Sequence, residues 1–197
     1  MGLHSLRQHI SVIPQVPFLF KGSVRQNIDP ISISTDEHIW QSLQEAGLRD
    51  HVRTLENSLD TKIENTSSCF SMGQKQLLCL ARALLRRNKF LVLDEATSNV
   101  DIGTDTFIQN VIKTKFADTT VITIAHRLNT IADYDRVVVM SKGRIVEDGM
   151  PWELLEKKGM FYEMVKHTKK NAESIIKKAK KYYEQKMAKW STILSFI

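Results

Sequence analysis

Apolar positions in this chain follow two alternating rhythms. Short β-branched or leucine-rich runs at residues 10–13, 90–94, 119–125 and 136–140 have the length and composition of strands. Between them the spacing is helical: Ile39, Trp40, Leu43, Ala46 and Leu48, then residues 71–87, then Phe107, Ile108, Val111, Ile112 and Phe116, then residues 152–165. Local signals punctuate the pattern. Ser23 caps a short helix over 24–28 that stops before Pro30, and Thr35-Asp36-Glu37 opens the next. A second amphipathic piece falls near 51–59 and a short helix at 128–132. Pro14 and Pro17 keep residues 16–20 out of a helix. Ser141-Lys142-Gly143 turns one strand into another at 144–147. Strands that are continuous apolar runs, alternating with helices, predict an α/β fold whose mostly parallel sheet is covered on both faces.

Charge changes the picture at one end only. The chain of 197 residues carries a formal +6. Residues 166–197 hold nine Lys against two Glu, so the remainder is close to neutral. The basic balance therefore belongs to the tail and gives no support to a nucleic-acid-binding body. Within it Ile176, Ala179, Tyr183, Met187, Trp190, Leu194 and Ile197 recur at three- or four-residue spacing, one apolar stripe on a basic helix. Two readings stay open: a helix docked on its own domain, or one whose 171–197 surface contacts an anionic membrane. No run of eighteen apolar residues occurs, and the first residues lack the layout of a signal peptide. Two cysteines, Cys69 and Cys79, fit a reduced cytosolic setting better than a disulfide framework.

Candidate chemistry gathers at the ends of the predicted strands, where open parallel sheets place functional groups. Asp94 and Glu95 end one strand, Gln15 follows another, and His126 follows a third. An acid pair after a strand can support a magnesium ion and polarise an attacking water. Ser71-Met72-Gly73-Gln74 opens a helix whose free N–H groups and dipole favour an anion. Each feature alone has a plainer reading: a capped helix, a solvated acid pair, a structural histidine.

Together the blocks resemble the nucleotide-binding domain of an ATP-binding cassette (ABC) transporter. Gln15 matches the Q-loop glutamine. Phe70-Ser71-Met72-Gly73-Gln74 is similar to the Leu-Ser-Gly-Gly-Gln signature, with Met72 in place of its first glycine. Residues 91–94 match the Walker B strand, Glu95 the catalytic glutamate, 98–101 the D-loop and His126 the switch histidine. The Phe before the signature, the run behind it and Val24-Arg25-Gln26-Asn27-Ile28-Asp29-Pro30 resemble the second nucleotide-binding domain of multidrug resistance-associated proteins, the C subfamily.

The resemblance implies a partial P-loop NTPase fold: a truncated nucleotide-binding domain over 1–165, with a helical subdomain over about 23–87, and a basic C-terminal helix over 166–197. It implies ATP and Mg²⁺ as cofactors, Asp94 and Gln15 near the metal, and Glu95, His126 and Gln15 in catalysis. Ser71, Gly73, Gln74 and Asp101 would face nucleotide held by a first-half nucleotide-binding domain. Hydrolysis would drive export through transmembrane domains absent from this chain, at the cytoplasmic face of a membrane. A non-catalytic short form that pairs with and regulates a complete domain is the alternative. An ABC-type ATPase of DNA repair is disfavoured, because no coiled-coil heptads interrupt residues 3–165.

No Gly-x-x-x-x-Gly-Lys-[Ser/Thr] occurs, so the Walker A grip on the β and γ phosphates is lacking. The chain is expected to be a piece of a longer protein. The strand that feeds Walker A belongs inside the sheet, so its loss is expected to leave an unpaired edge and uncovered faces on strands such as 90–94. The isolated chain is accordingly expected to aggregate and to release little phosphate from ATP. A monomer in sedimentation, with a cooperative melt and magnesium-dependent turnover abolished by Glu95→Gln, would overturn this.

Overall fold

The computed structural model describes residues 2–64, 69–95, 100–125 and 127–194. They divide into two units, 1–124 and 125–197, each with its own apolar core.

In the first unit, α1 (Leu3–Gln8) leads into β1 (Ile10–Ile13), and β2 (Gly22–Ser23) opens the helical part. There follow α2 (Val24–Ile28), α3 (Asp36–Glu45), α4 (Arg49–Thr54) and β3 (Lys62–Ile63), which pairs antiparallel with β2. Then come α5 (Met72–Arg86), β4 (Phe90–Asp94), α6 (Ile102–Lys115) and β5 (Thr120–Ile124). Ser23 caps α2 with a reciprocal capping box to Gln26. Thr35 occupies the N-cap of α3 but makes no side-chain cap bond. That helix stops at Gly47, whose φ of +70° ends it in the left-handed region. Ile39, Leu43 and Val52 from α3 and α4 meet Leu78, Leu80 and Ala81 of α5 in the core.

β1, β4 and β5 lie in that order, all parallel, with Ile10 opposite Phe90 and Phe90 opposite Thr120. Register partners in a sheet point the same way, so this sheet has two clear faces. Ser11, Ile13, Leu91 and Leu93 are buried on one. The other carries Val12 (56% exposed), Phe90 (44%), Ile122 (53%) and Ile124 (52%). The sequence pattern predicts a sheet covered on both sides and a buried strand at 119–125; among the described residues only one side is covered. The expected open edge also falls elsewhere. β4 is paired on both flanks, and among the described residues the open edges are on β1 and β5. Continuous apolar runs report a strand built for two covers, and this chain supplies one.

The second unit contains α7 (Leu128–Ile131), the hairpin β6 (Val137–Ser141) and β7 (Arg144–Gly149), then α8 (Pro151–Glu156), α9 (Met160–His167) and α10 (Ala172–Leu194). Lys142 and Gly143 both have positive φ, 49° and 75°, the geometry of a two-residue hairpin turn that matches strand twist. Residues 152–165, read as a single helix, are broken at Lys158, whose φ is 53°. The Glu147 carboxylate accepts from the backbone N–H groups of Met160 (2.8 Å) and Phe161 (2.7 Å), capping α9 from outside. A Cβ on Gly159 would lie 1.7 Å from Glu147 Oε1, so a side chain there would displace the carboxylate that caps α9.

α10 docks within its own unit through Ile175 and Ala179. Lys178 donates to the Asn129 carbonyl at 2.7 Å and pairs with Asp133 at 3.1 Å, and Tyr182 donates to Asp135 at 2.7 Å. Met187 and Trp190, further along, are exposed. The side chain of Leu194 and all of Ile197 lie outside what is described. The apolar stripe was therefore placed one residue late at its start, Ile175 rather than Ile176 being the more deeply buried.

Ile122 sits on the bare face of the edge strand and contributes surface rather than core. Ile122→Lys is expected to reduce self-association in light scattering while changing the urea midpoint by about 1 kcal/mol or less.

Candidate functional site

The signature turn is held from behind and in front. Ser71 sits at the N-cap of α5, its Oγ accepting from the Gln74 N–H at 3.2 Å while Gln74 Oε1 accepts from the Ser71 N–H at 2.8 Å. Phe70 is buried, and His51 of α4 packs edge-on against it at 5.3 Å between ring centroids. His51 also donates through Nε2 to the Cys69 carbonyl at 3.1 Å. Met72 is 45% exposed at the first helical position. With this arrangement the Ser71 hydroxyl proton, the Gln74 amide and the first N–H groups of α5 remain as donors on an open helix end.

Asp101 stands beside that turn. It caps α6, its Oδ1 accepting from the Thr104 N–H at 3.0 Å and its Oδ2 from the Thr104 hydroxyl at 2.7 Å. These bonds, the hydroxyl's first, lower the Asp101 pKa from the ordinary carboxylate value. A Cβ built on Gly73 would be 3.6 Å from the Thr104 side chain and 3.9 Å from Asp101 Oδ2. The starts of α5 and α6 thus lie against each other.

Gln15 and Glu95 meet directly across 80 positions of sequence. Gln15 Nε2 donates to Glu95 Oε2 at 2.8 Å. Glu95 has a φ of +45°, a strained value for a residue with a Cβ, and its N–H donates to the Ile124 carbonyl at 3.1 Å. Asp94 is the exposed last residue of β4, in register with Ile124. Gln15, Asp94 and Glu95 therefore share one end of the sheet, and Ser71, Gly73, Gln74 and Asp101 cluster separately. His126 and residues 96–99, which include the first half of the D-loop, lie outside the described residues.

Sequence reasoning missed the side chains that hold these groups. Arg82, on the face of α5 that meets α2, donates to the Asn27 carbonyl, to the Phe18 carbonyl at 2.7 Å and to Asn27 Oδ1 at 3.0 Å. Burial lowers its pKa from the ordinary value, and the same burial raises that of the neighbouring Cys79 thiol. Asn27 is fully buried and bonds in turn to Phe20 and to the Ser23 carbonyl. Gln76, also on α5, donates to the Pro14 carbonyl at 3.0 Å. The available signal was polar residues set into the apolar stripe of a helix, since Gln76 aligns with Leu80 and Ala83, and Arg82 with Leu78 and Cys79.

The chain belongs to the ABC transporter family. The family model for ABC transporters matches residues 2–98. A bacterial Atm1-family ABC exporter, solved with ATP bound, superposes with a TM-score of 0.76 at 30% identity, covering 84% of this chain and 29% of that one. Within the family the chain is similar to multidrug resistance-associated proteins. It is 48% identical over 185 residues to human ATP-binding cassette sub-family C member 4, spanning 93% of this chain and 14% of that protein. It is 49% identical over 187 residues to the probable multidrug resistance-associated protein lethal(2)03659 of Drosophila melanogaster. The chain spans about one seventh of these relatives' length.

Arg82 makes three bonds to carbonyl oxygens and none of them to an acid. Arg82→Met, which keeps the stem and loses the fork, is expected to lower unfolding free energy by about 2–4 kcal/mol in urea titration. An unchanged midpoint would show that water replaces the guanidinium at no cost.

Proposed function

We propose that this chain is an ATPase module of an ABC exporter, contributing two half-sites that serve different nucleotides. The Gln15–Glu95 hydrogen bond carries the reading, because it brings together two candidate groups from distant strand ends. In the first half-site Asp94 supports Mg²⁺, Glu95 is the general base for the attacking water, and Gln15 and His126 sense the terminal phosphate. The oxygen donors present, two carboxylates and an amide, suit a hard cation that takes its other ligands from phosphate and water. Among the described residues no three acidic, His or Cys groups gather to hold a metal unaided. Bound ATP would supply the γ-phosphoryl group, and Walker A, which this sequence lacks, would hold its β and γ phosphates.

The second half-site is Ser71, Gly73, Gln74 and Asp101. Here the chain supplies donors to an ATP held by another domain, and needs no Walker A of its own. The Ser71 hydroxyl and the N–H groups of α5 orient toward oxygen anions, aided by the helix dipole. The partners are a first-half nucleotide-binding domain and transmembrane domains. Among the described residues no helix is long and apolar enough to cross a membrane, so attachment to the cytoplasmic face of a membrane comes through those domains. The exposed Met187 and Trp190 of α10, on a helix that also carries Lys181 and Lys189, form the surface offered to lipid within 171–197; nucleic acid is not a partner. The domain boundary at 165/166 remains part of the proposal.

The test is association with a complete nucleotide-binding domain that has its own Walker A. ATP is expected to tighten association of the intact chain, read by sedimentation, and ADP is not. Ser71→Arg fills the open helix end and is expected to weaken that association at least about tenfold. A rise in the partner's turnover fits an ATPase module, and a fall fits a regulatory short form. No ATP-dependent association would sink both.

A further inference from the structure

We propose that Gln76 is a positioning residue, which fixes Gln15 against Glu95 and ties that pair to the signature turn at the head of its own helix. This deepens the reading of Gln15 and Glu95 given above and rests on it for its purpose; the linkage itself stands on geometry. Gln76 lies one turn after Ser71–Gln74 on α5 and is 1% exposed. Its side-chain amide donates to the Pro14 carbonyl at 3.0 Å, across 62 positions of sequence.

That carbonyl belongs to the peptide plane joining Pro14 to Gln15. The plane is rigid, so holding its oxygen also fixes the direction of the Gln15 N–H and the place of the Gln15 Cα. Gln15 then donates from Nε2 to Glu95 Oε2 at 2.8 Å. The far end of this relay is firm as well, because the Glu95 N–H is held by the Ile124 carbonyl. Deep burial keeps water from replacing the Gln76 bond, and an apolar side chain of equal volume would fill the same space without orienting the loop. The near end is movable. Ser71 and Gln74 are joined in a capping box through their acceptor oxygens, so an anion that binds the Ser71 hydroxyl proton or the Gln74 amide pulls on the first turn of α5 as a unit. Any tilt of the first turn of α5 is passed through Gln76 to Gln15. The two half-sites are then mechanically coupled inside one chain.

Hydrogen–deuterium exchange read by mass spectrometry on the intact chain at submicromolar concentration tests this without nucleotide. Gln76→Met keeps the volume and removes the donor. Exchange of peptides covering 12–18 is expected to rise about tenfold, while peptides covering 78–86 stay unchanged. Ser71→Ala is expected to speed exchange at 12–18 about threefold in the chain with Gln76, and to add nothing in Gln76→Met. Equal effects of Ser71→Ala in both backgrounds, or no change at 12–18 in Gln76→Met, overturn the proposal. Gln76→Asn, which is polar but one methylene short, guards against a folding defect. It is expected to loosen 12–18 alone, and loss of protection throughout α5 in both variants would show Gln76 holding the core instead. A chain that fails to recognise ATP leaves these outcomes unaffected, so the two readings fail separately.

Discussion

A half-buried guanidinium bonded to carbonyl oxygens sets the frame for everything else in the first unit. Arg82 reaches from the middle of α5 to the Phe18 carbonyl and to both oxygens of Asn27. Asn27 passes the constraint on to Phe20 and Ser23. The loop between β1 and β2 has two prolines and lies outside the described strands, so its shape depends on these donors. Carbonyl oxygens rather than carboxylates satisfy the charge, which makes the arrangement directional: the chain must bring three oxygens to one fork. A lysine would offer charge without that planar geometry.

The same helix organises the site by serving at both of its ends. Its first turn presents Ser71, Gly73 and Gln74, and its inner face carries Gln76 and Arg82 beneath the Gln15 loop. Two clusters that look independent, one around Ser71 and Asp101 and one around Gln15 and Glu95, are thus supported by a single element. At Gly73 the start of α6 lies within contact range, since a Cβ there would be 3.6 Å from Thr104, an ordinary van der Waals distance.

Much of the fold was legible because hydrophobic period and local stop signals agreed. β1, β4, α5 and the Lys142-Gly143 turn fall where spacing and turn chemistry put them. The exceptions have physical causes. α1 has too little apolar periodicity to announce itself over six residues. The break before α9 comes from the Glu147 carboxylate meeting backbone N–H groups thirteen and fourteen residues away, a contact without local signature. The bare face of β5 agrees with the uncovered faces expected from the missing Walker A region, although residues 120–124 taken alone read as a buried strand. In the site, motif residues were readable, but their supports were not: Gln76, Arg82 and Thr104 matter through partners 62, 64 and 3 positions away.

The order of strands has a consequence for how the chain reaches this structure. β1 pairs only with β4, and about eighty residues separate Ile10 from its partner Phe90. Closing a loop of that length early costs entropy that four residues of parallel pairing repay poorly. The intervening helices shorten the effective path once they are formed, since α2 and α3 pack on α5 and α4 packs on α3. Early formation of the helical insert would bring the two partners of the sheet close, so pairing of β1 is expected to follow the packing of α5 and β4.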